Sequence, residues 1–269
     1  MSQCFSENLL AGKVAFVAGG TRGINLGIAK AFACAGARVA VIGRDAERAA
    51  AAQADIEQAS GESALGMSCD VRDYAAVETA IKTTAEAFGK IDILVSGAAG
   101  NFFSPIVGLS ANAFKTVVDI DLIGTFNVFR ASFDYLTKPG ASLIAITAGQ
   151  AEHAVPFQAH AAAAKAGVNM LTKTLAVEWG PAGVRANLIA PGGIEGTEGV
   201  KYLSSSQDGL DEAIGRVPAR RLGTVTEIAD TAVFLCSEAA SYITGQVIYV
   251  DGGTLTGNGA YDCLRPLKR

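Results

Sequence analysis

Apolar residues fall along the chain in two alternating patterns. Residues 13–18, 37–42, 64–68, 91–96, 142–147, 184–189 and 246–250 are short runs, apolar nearly throughout and rich in Val and Ile. That is the composition of strands covered on both faces. Between them, 24–35, 45–59, 74–88, 110–136, 158–179 and 225–237 carry apolar residues at helical spacing. Strict strand–helix alternation predicts right-handed crossovers, hence an α/β fold with a doubly wound parallel sheet and helices on both faces. No Pro/Gly/Ser-rich linker and no repeat divides the sequence, so residues 1–269 are expected to form one domain, with 191–222 as its largest insertion.

Composition adds a surface property. Charged residues make up 18% of the 269 positions and apolar ones 50%, against roughly 25% charged in an average soluble chain. So little polar surface predicts that part of the exterior is covered in a homo-oligomer. The net charge is −4, from 22 Lys and Arg against 26 Asp and Glu, which argues against nucleic acid or an anionic membrane as partner. Five scattered cysteines without a C-x-x-C pair suggest neither a disulfide framework nor a zinc site, and two histidines, His153 and His160, are too few for a transition-metal site. The first ten residues lack a basic segment leading into an apolar core, and no apolar run is long enough for a bilayer. Pro266-Leu267-Lys268-Arg269 is not a peroxisomal tail, so a cytoplasmic location is expected.

Candidate chemistry begins where the first strand ends. Ala18-Gly19-Gly20-Thr21-Arg22-Gly23-Ile24-Asn25-Leu26-Gly27 runs directly into a helix. Glycines there let the chain turn tightly and let a pyrophosphate approach the amide N–H groups, while the helix N-terminus adds its positive dipole end. In a chain with 31 glycines a cluster alone is weak, but the strand before it and the helix after it point to a dinucleotide. At the end of the second strand, Arg44 stands where a free ribose 2′-hydroxyl would call for a carboxylate. With Arg22 it favours NADP(H), and Asp45 weighs the other way. Asp70, after the third strand, is placed either to accept from the adenine amino group or to cap the following helix.

These features resemble the short-chain dehydrogenase/reductase family along nearly the whole chain, together with Ile91-Asp92-Ile93-Leu94-Val95, Pro191-Gly192 and Asp251-Gly252-Gly253. The resemblance implies a seven-stranded Rossmann-type sheet, a nicotinamide cofactor and usually a homotetramer. It also implies a cofactor set of Gly19, Thr21, Arg22, Gly23, Ile24, Arg44, Asp70, Val71, Ala98, Lys165, Pro191, Ile194 and Thr197. The departures are as informative. The family's active-site Tyr, four residues before the Lys, falls at Ala161; its Ser or Thr falls at Ala148, beside Thr147; its Asn matches Asp121; and Asn25 replaces the third glycine of the loop.

This pattern of losses is similar to one branch, the peroxisomal-type 2,4-dienoyl-CoA reductases. The likeness runs through Ala98-Ala99-Gly100-Asn101-Phe102, Asp119-Ile120-Asp121, Gly124-Thr125-Phe126-Asn127-Val128, Leu175-Ala176-Val177-Glu178-Trp179-Gly180-Pro181 and Gly196-Thr197-Glu198-Gly199, with Ser96-Gly97 a departure. It implies that Asp121 and Lys165 are catalytic and hold a water that supplies a proton, and that the substrate is an unsaturated fatty acyl thioester. The chemistry fits the loss of the phenol. Reducing a ketone protonates oxygen, whereas reducing a conjugated thioester makes a dienolate that is protonated on carbon, so a stabilised anion and a held water suffice. The alternatives from sequence are carbonyl reduction, with His160, Tyr202 or a water replacing the phenol, and a catalytically silent NADPH-binding protein. His160 is expected in the substrate pocket or as a satisfied polar group, and either histidine is placed to feed protons. Residues 198–221 are expected to form a lid over nicotinamide and substrate, with Arg216, Arg220 and Arg221 meeting a CoA phosphate, solvent or a subunit contact.

Overall fold

The computed structural model describes residues 8–201, 207–257 and 259. Seven parallel strands form one sheet in the order β3-β2-β1-β4-β5-β6-β7. They are β1 (Val14–Ala18), β2 (Arg38–Gly43), β3 (Ala64–Ser68), β4 (Ile93–Ser96), β5 (Ser142–Ile146), β6 (Arg185–Pro191) and β7 (Val247–Val250). The expected fold class therefore holds. β1 and β4 are buried along their whole length, as their unbroken apolar sequence requires.

Side chains of β1 alternate between the two layers. Ala15 and Val17 pack with Phe32 of α1 (Gly23–Cys34), Ile56 of α2 (Ala46–Ser60) and Val233 of α9 (Val225–Cys236). Val14, Phe16 and Ala18 turn to the other face, against Ile81 of α3 (Tyr74–Phe88), Phe129 of α5 (Gly124–Ser132) and Val168 of α6 (Ala159–Trp179). Phe16, Phe32 and Phe129 are almost wholly buried, each worth about 1.5–3 kcal/mol of transfer free energy.

Two regions differ from the sequence expectation. The stretch 110–136 is not one α-helix. α4 (Ala111–Val118) opens into a π-helical turn, Asp119–Ile123, before α5, and a 3₁₀ turn, Phe133–Tyr135, follows. Periodicity cannot reveal one inserted residue in an otherwise apolar helix face. The insertion 191–222 holds two further helices, α7 (Glu198–Lys201) and α8 (Gln207–Arg216). Tyr202 and Ser204–Ser206 lie outside the described residues.

The strand order reverses between β1 and β4, and the crevice beyond their carboxyl ends is where such a sheet binds ligands. The loops after β1, β4, β5 and β6 all open there.

Candidate active site

A cavity of about 840 Å³ occupies this crevice, within the range that holds a drug-sized or larger ligand. Every residue in the cofactor and catalytic sets read from sequence lines it. At its floor Gly19 adopts φ +75°, and a Cβ there would lie 2.7 Å from the Ala98 nitrogen, so only glycine lets the two loops meet. Helix α1 begins after Arg22 with no side-chain hydrogen bond capping it and no acidic residue in its first turn. Its N–H groups and positive dipole end thus remain for an anion. Asn25 sits in that first turn, buried, and donates Nδ2–H to the Gly97 carbonyl at 2.8 Å. A Cβ on residue 97 would lie 2.3 Å from Asn25 Oδ1. Two sequence departures, Asn25 and Gly97, are therefore one compensated contact.

Asp70 does not cap α3. Asp73 does so, accepting from the Ala76 N–H at 3.1 Å. Asp70 instead receives the Arg72 backbone N–H at 3.0 Å and its guanidinium, Nη2 to Oδ2, at 2.6 Å, which holds its carboxyl below the usual carboxylate range. Asp45 is likewise committed: it caps α2 by accepting from the Arg48 N–H at 3.1 Å and lies 3.3 Å from Arg48 Nε.

The π turn places Asp121 at the opposite wall. Widening the helix leaves the Gly124 N–H bonded to the Asp119 carbonyl, and the Thr125 hydroxyl takes the Asp121 carbonyl at 2.6 Å. Ser96 of β4 donates to Thr125 Oγ1 at 3.0 Å and ties the widened turn to the sheet. Such turns recur at functional sites. The Asp121 carboxylate, 1% exposed, accepts the Gly100 N–H on Oδ1 at 2.7 Å and faces Lys165 Nζ from Oδ2 at 3.2 Å. Lys165 also donates to the Ile146 carbonyl at 3.0 Å. An ammonium has three N–H groups; one is on Ile146 and Asp121 is met as an ion pair, so two remain, and each carboxylate oxygen keeps a lone pair. Burial makes this pair mutually dependent: removing one partner of a buried pair costs about 3–5 kcal/mol.

Ala148 and Ala161 line the cavity beside this pair, and among the described residues its lining contains no tyrosine. Thr147 also faces it, but its hydroxyl is spent on Asn169 Oδ1 at 2.6 Å. Three amides that sequence reasoning did not single out stand nearby. Asn101 Nδ2 and Gln150 Nε2 both donate to Gln158 Oε1, at 2.9 and 3.1 Å. Nothing in their spacing announces the cluster, because it joins the β4 loop to the start of α6.

His160 corrects an expectation. It does not line the cavity: it is fully buried, and neither ring nitrogen meets a partner at normal hydrogen-bond geometry, although the Phe102 backbone interacts with the ring. Ala161 faces the cavity, and one helical step of about 100° turns its neighbour inward, where the ring centroid lies 4.3 Å from that of Phe102. Burial pushes the His160 imidazole below its ordinary value, with the Asp121 charge and the Phe102 backbone pulling the other way. Its stabilising neutral form is complete above about pH 6.5, the unfolded value, and is lost as pH falls through that value toward the folded one. His160→Gln should therefore flatten the fall of Tm below about pH 6.5; an unchanged slope would contradict this assignment. His153 lines the cavity and is exposed.

In the insertion, Pro191, Ile194 and Thr197 reach the cavity. The arginines beyond are engaged within the chain: Arg216 with Glu212, Arg221 with Glu227, and Arg220 with the Gly215 carbonyl. Arg221 holds the Glu227 carboxyl down to about 2.

A family model described as enoyl-(acyl carrier protein) reductase matches residues 18–255. The chain is 45% identical over 249 residues to the peroxisomal 2,4-dienoyl-CoA reductase, (3E)-enoyl-CoA-producing, of Saccharomyces cerevisiae, covering 91% of this chain and 85% of that one. It is 44% identical over 251 residues to the rat protein of the same description, covering 93% and 86%. A short-chain dehydrogenase from Bacillus anthracis, solved by crystallography, superposes with a TM-score of 0.82 at 41% identity, covering 91% and 97%. With its sheet, its glycine loop and these relatives, the chain belongs to the short-chain dehydrogenase/reductase family, oxidoreductases that use a nicotinamide cofactor.

Proposed function

We propose that this enzyme is an NADPH-dependent 2,4-dienoyl-CoA reductase in which Asp121 and Lys165 together hold the water that delivers the proton. The observation that carries this reading is the buried Asp121–Lys165 contact facing a cavity in which Ala161 stands at the phenol position. The relatives described as producing (3E)-enoyl-CoA support the same chemistry.

The residues fit a dinucleotide. The uncapped N-terminus of α1 and the close approach at Gly19 suit a pyrophosphate. Arg22 and Arg44 suit a ribose 2′-phosphate, and Asp45 is occupied at its own helix. When bound there, the nicotinamide would supply a hydride, for the δ-carbon of the diene. The double bonds then shift, and negative charge collects on the thioester oxygen and the α-carbon. One of the two remaining Lys165 N–H groups would hold the nicotinamide ribose, and the lysine's positive charge, kept from bulk water, would stabilise that dienolate. A water accepting the other remaining Lys165 N–H and donating to an Asp121 lone pair would pass a proton to the α-carbon, and solvent would restore it. The product keeps one double bond between the β- and γ-carbons. No acid of phenolic strength is needed, because protonation ends on carbon.

Five large apolar side chains on one helical assembly, Phe114, Ile123 and Phe126 of the α4–α5 helix and Met170 and Val177 of α6, are substantially exposed. They support a homo-oligomer, with a tetramer the form this reading adopts. A reducing compartment, the cytoplasm being the one this reading adopts, fits Cys34, Cys69 and Cys236 being free thiols. Among the described residues no helix is long and apolar enough to cross a membrane.

Purified enzyme mixed with NADPH and 2,4-hexadienoyl-CoA should consume the near-ultraviolet absorbance of the reduced nicotinamide and yield the 3-enoyl product. Turnover of a 3-oxoacyl thioester with none of the diene would overturn the reading.

A further inference from the structure

An apolar rim at the cavity mouth has no part in the chemistry described above. Two separate segments build it. After β4 come Phe103, Ile106 and Val107, which are 45%, 73% and 95% exposed; before α6 come Val155 and Phe157, 39% and 53% exposed. The Phe157 carbonyl accepts the Ser104 N–H at 3.0 Å and fastens one segment to the other. Phe157 does so with φ +67°, a left-handed conformation that non-glycine residues rarely adopt, and its ring is half exposed. Ile106 and Val107 lie on a 3₁₀ turn, Ile106–Gly108, that buries none of its residues. Isolated exposed apolar residues need no explanation, but a continuous set beside a cavity marks a binding surface.

The occupant is fixed by continuity and charge. Phe103 and Val155 belong both to this rim and to the cavity wall, so whatever lies on the rim extends from the bound substrate. Residues 102–109 and 154–158 contain no charged side chain, which suits hydrocarbon and not the phosphates of CoA. We propose that the acyl chain beyond the diene lies along Phe103, Ile106, Val107, Val155 and Phe157, making the enzyme selective for longer acyl thioesters. This rests on the diene-reductase reading. Each methylene wholly removed from water contributes about 0.8 kcal/mol, close to fourfold in affinity. Several methylenes lying against one wall should therefore gain at least about tenfold.

The test compares 2,4-hexadienoyl-CoA with 2,4-decadienoyl-CoA on the wild type and on an Ile106→Ser, Val107→Ser double variant. Wild-type kcat/KM should rise at least about tenfold with the longer chain, and the double variant should lose most of that gain while keeping hexadienoyl turnover within about twofold. A wild type indifferent to length, or a variant that loses both substrates equally, overturns the proposal. So does a variant whose only change is in oligomeric mass, because a second copy of the chain then covers the rim. A parallel binding measurement uses unreactive butanoyl- and decanoyl-CoA on the NADPH complex. If neither diene turns over, the reductase reading fails, and this binding pair still decides the rim: equal affinities reject it, and tighter decanoyl-CoA binding that the double variant loses supports it.

Discussion

Asp121→Asn should lower kcat for diene reduction by about 10²–10⁴-fold while leaving the KM for NADPH nearly unchanged. The amide keeps an oxygen for the Gly100 N–H and a shape that fits the widened turn, so the wall stays in place. What it removes is the negative charge that faces Lys165 at 3.2 Å and the acceptor that orients the water. Asp121→Ala is a poorer probe, because besides stranding the Lys165 ammonium it leaves the Gly100 N–H without an acceptor and opens a cavity, and loss of fold would mimic loss of function. The amide also leaves the Lys165 charge without its counter-charge, so the expected signature is a lowered Tm, with the protein still folded at the assay temperature and turnover collapsed. Retention of kcat within about tenfold would show that the carboxylate is only a buried counter-charge, since a positioned acid–base group contributes more than that. Ketone reduction through another donor would survive the change, so assaying a 3-oxoacyl thioester beside the diene separates the two chemistries.

Much of this site was legible because its parts sit at strand ends, where an apolar run stops and function begins. Gly19, Arg44, Asp70, Ala98 and Pro191 all follow directly from that rule, and all line the cavity. The pairing of Asp121 with Lys165 was available only through family likeness, since 44 residues separate them and no periodicity brings them together. The π turn that presents Asp121 left no trace in the sequence pattern: Asp119-Ile120-Asp121-Leu122-Ile123 continues an amphipathic helix well enough to hide an added residue. His160 failed for a related reason. Its nearness to the vacated tyrosine position suggested the pocket, but adjacent helix residues point about 100° apart, so proximity in sequence placed it beneath the wall. Asn25 and Gly97 each looked like a separate loss. Only the packed structure makes them complementary, with the amide filling the space a side chain on residue 97 would need.

Arg44→Ala should raise the KM for NADPH by about 10–100-fold and leave the KM for NADH within about twofold. A charge-assisted hydrogen bond to a phosphate contributes about 1.5–3 kcal/mol, which sets that range, and NADH has no 2′-phosphate to lose. The local structure favours Arg44 over its neighbours for this task. β2 ends at Gly43, where a Cβ would lie 2.6 Å from Thr21 Oγ1, so the strand end and the glycine loop are pressed together. The Arg44 backbone is fixed there by its carbonyl, which accepts from the Ser68 hydroxyl at 3.1 Å, leaving the side chain on the cavity wall with Arg22. The carboxylate that would discriminate in favour of a free 2′-hydroxyl, Asp45, is engaged elsewhere, on the α2 cap. Arg44→Asp should go further and reverse the preference, because it places a negative charge against the 2′-phosphate and an acceptor beside the hydroxyl of NADH. If the ratio of the two KM values stays the same in both variants, Arg44 is a solvated surface residue, and selectivity for NADPH would have to reside in Arg22.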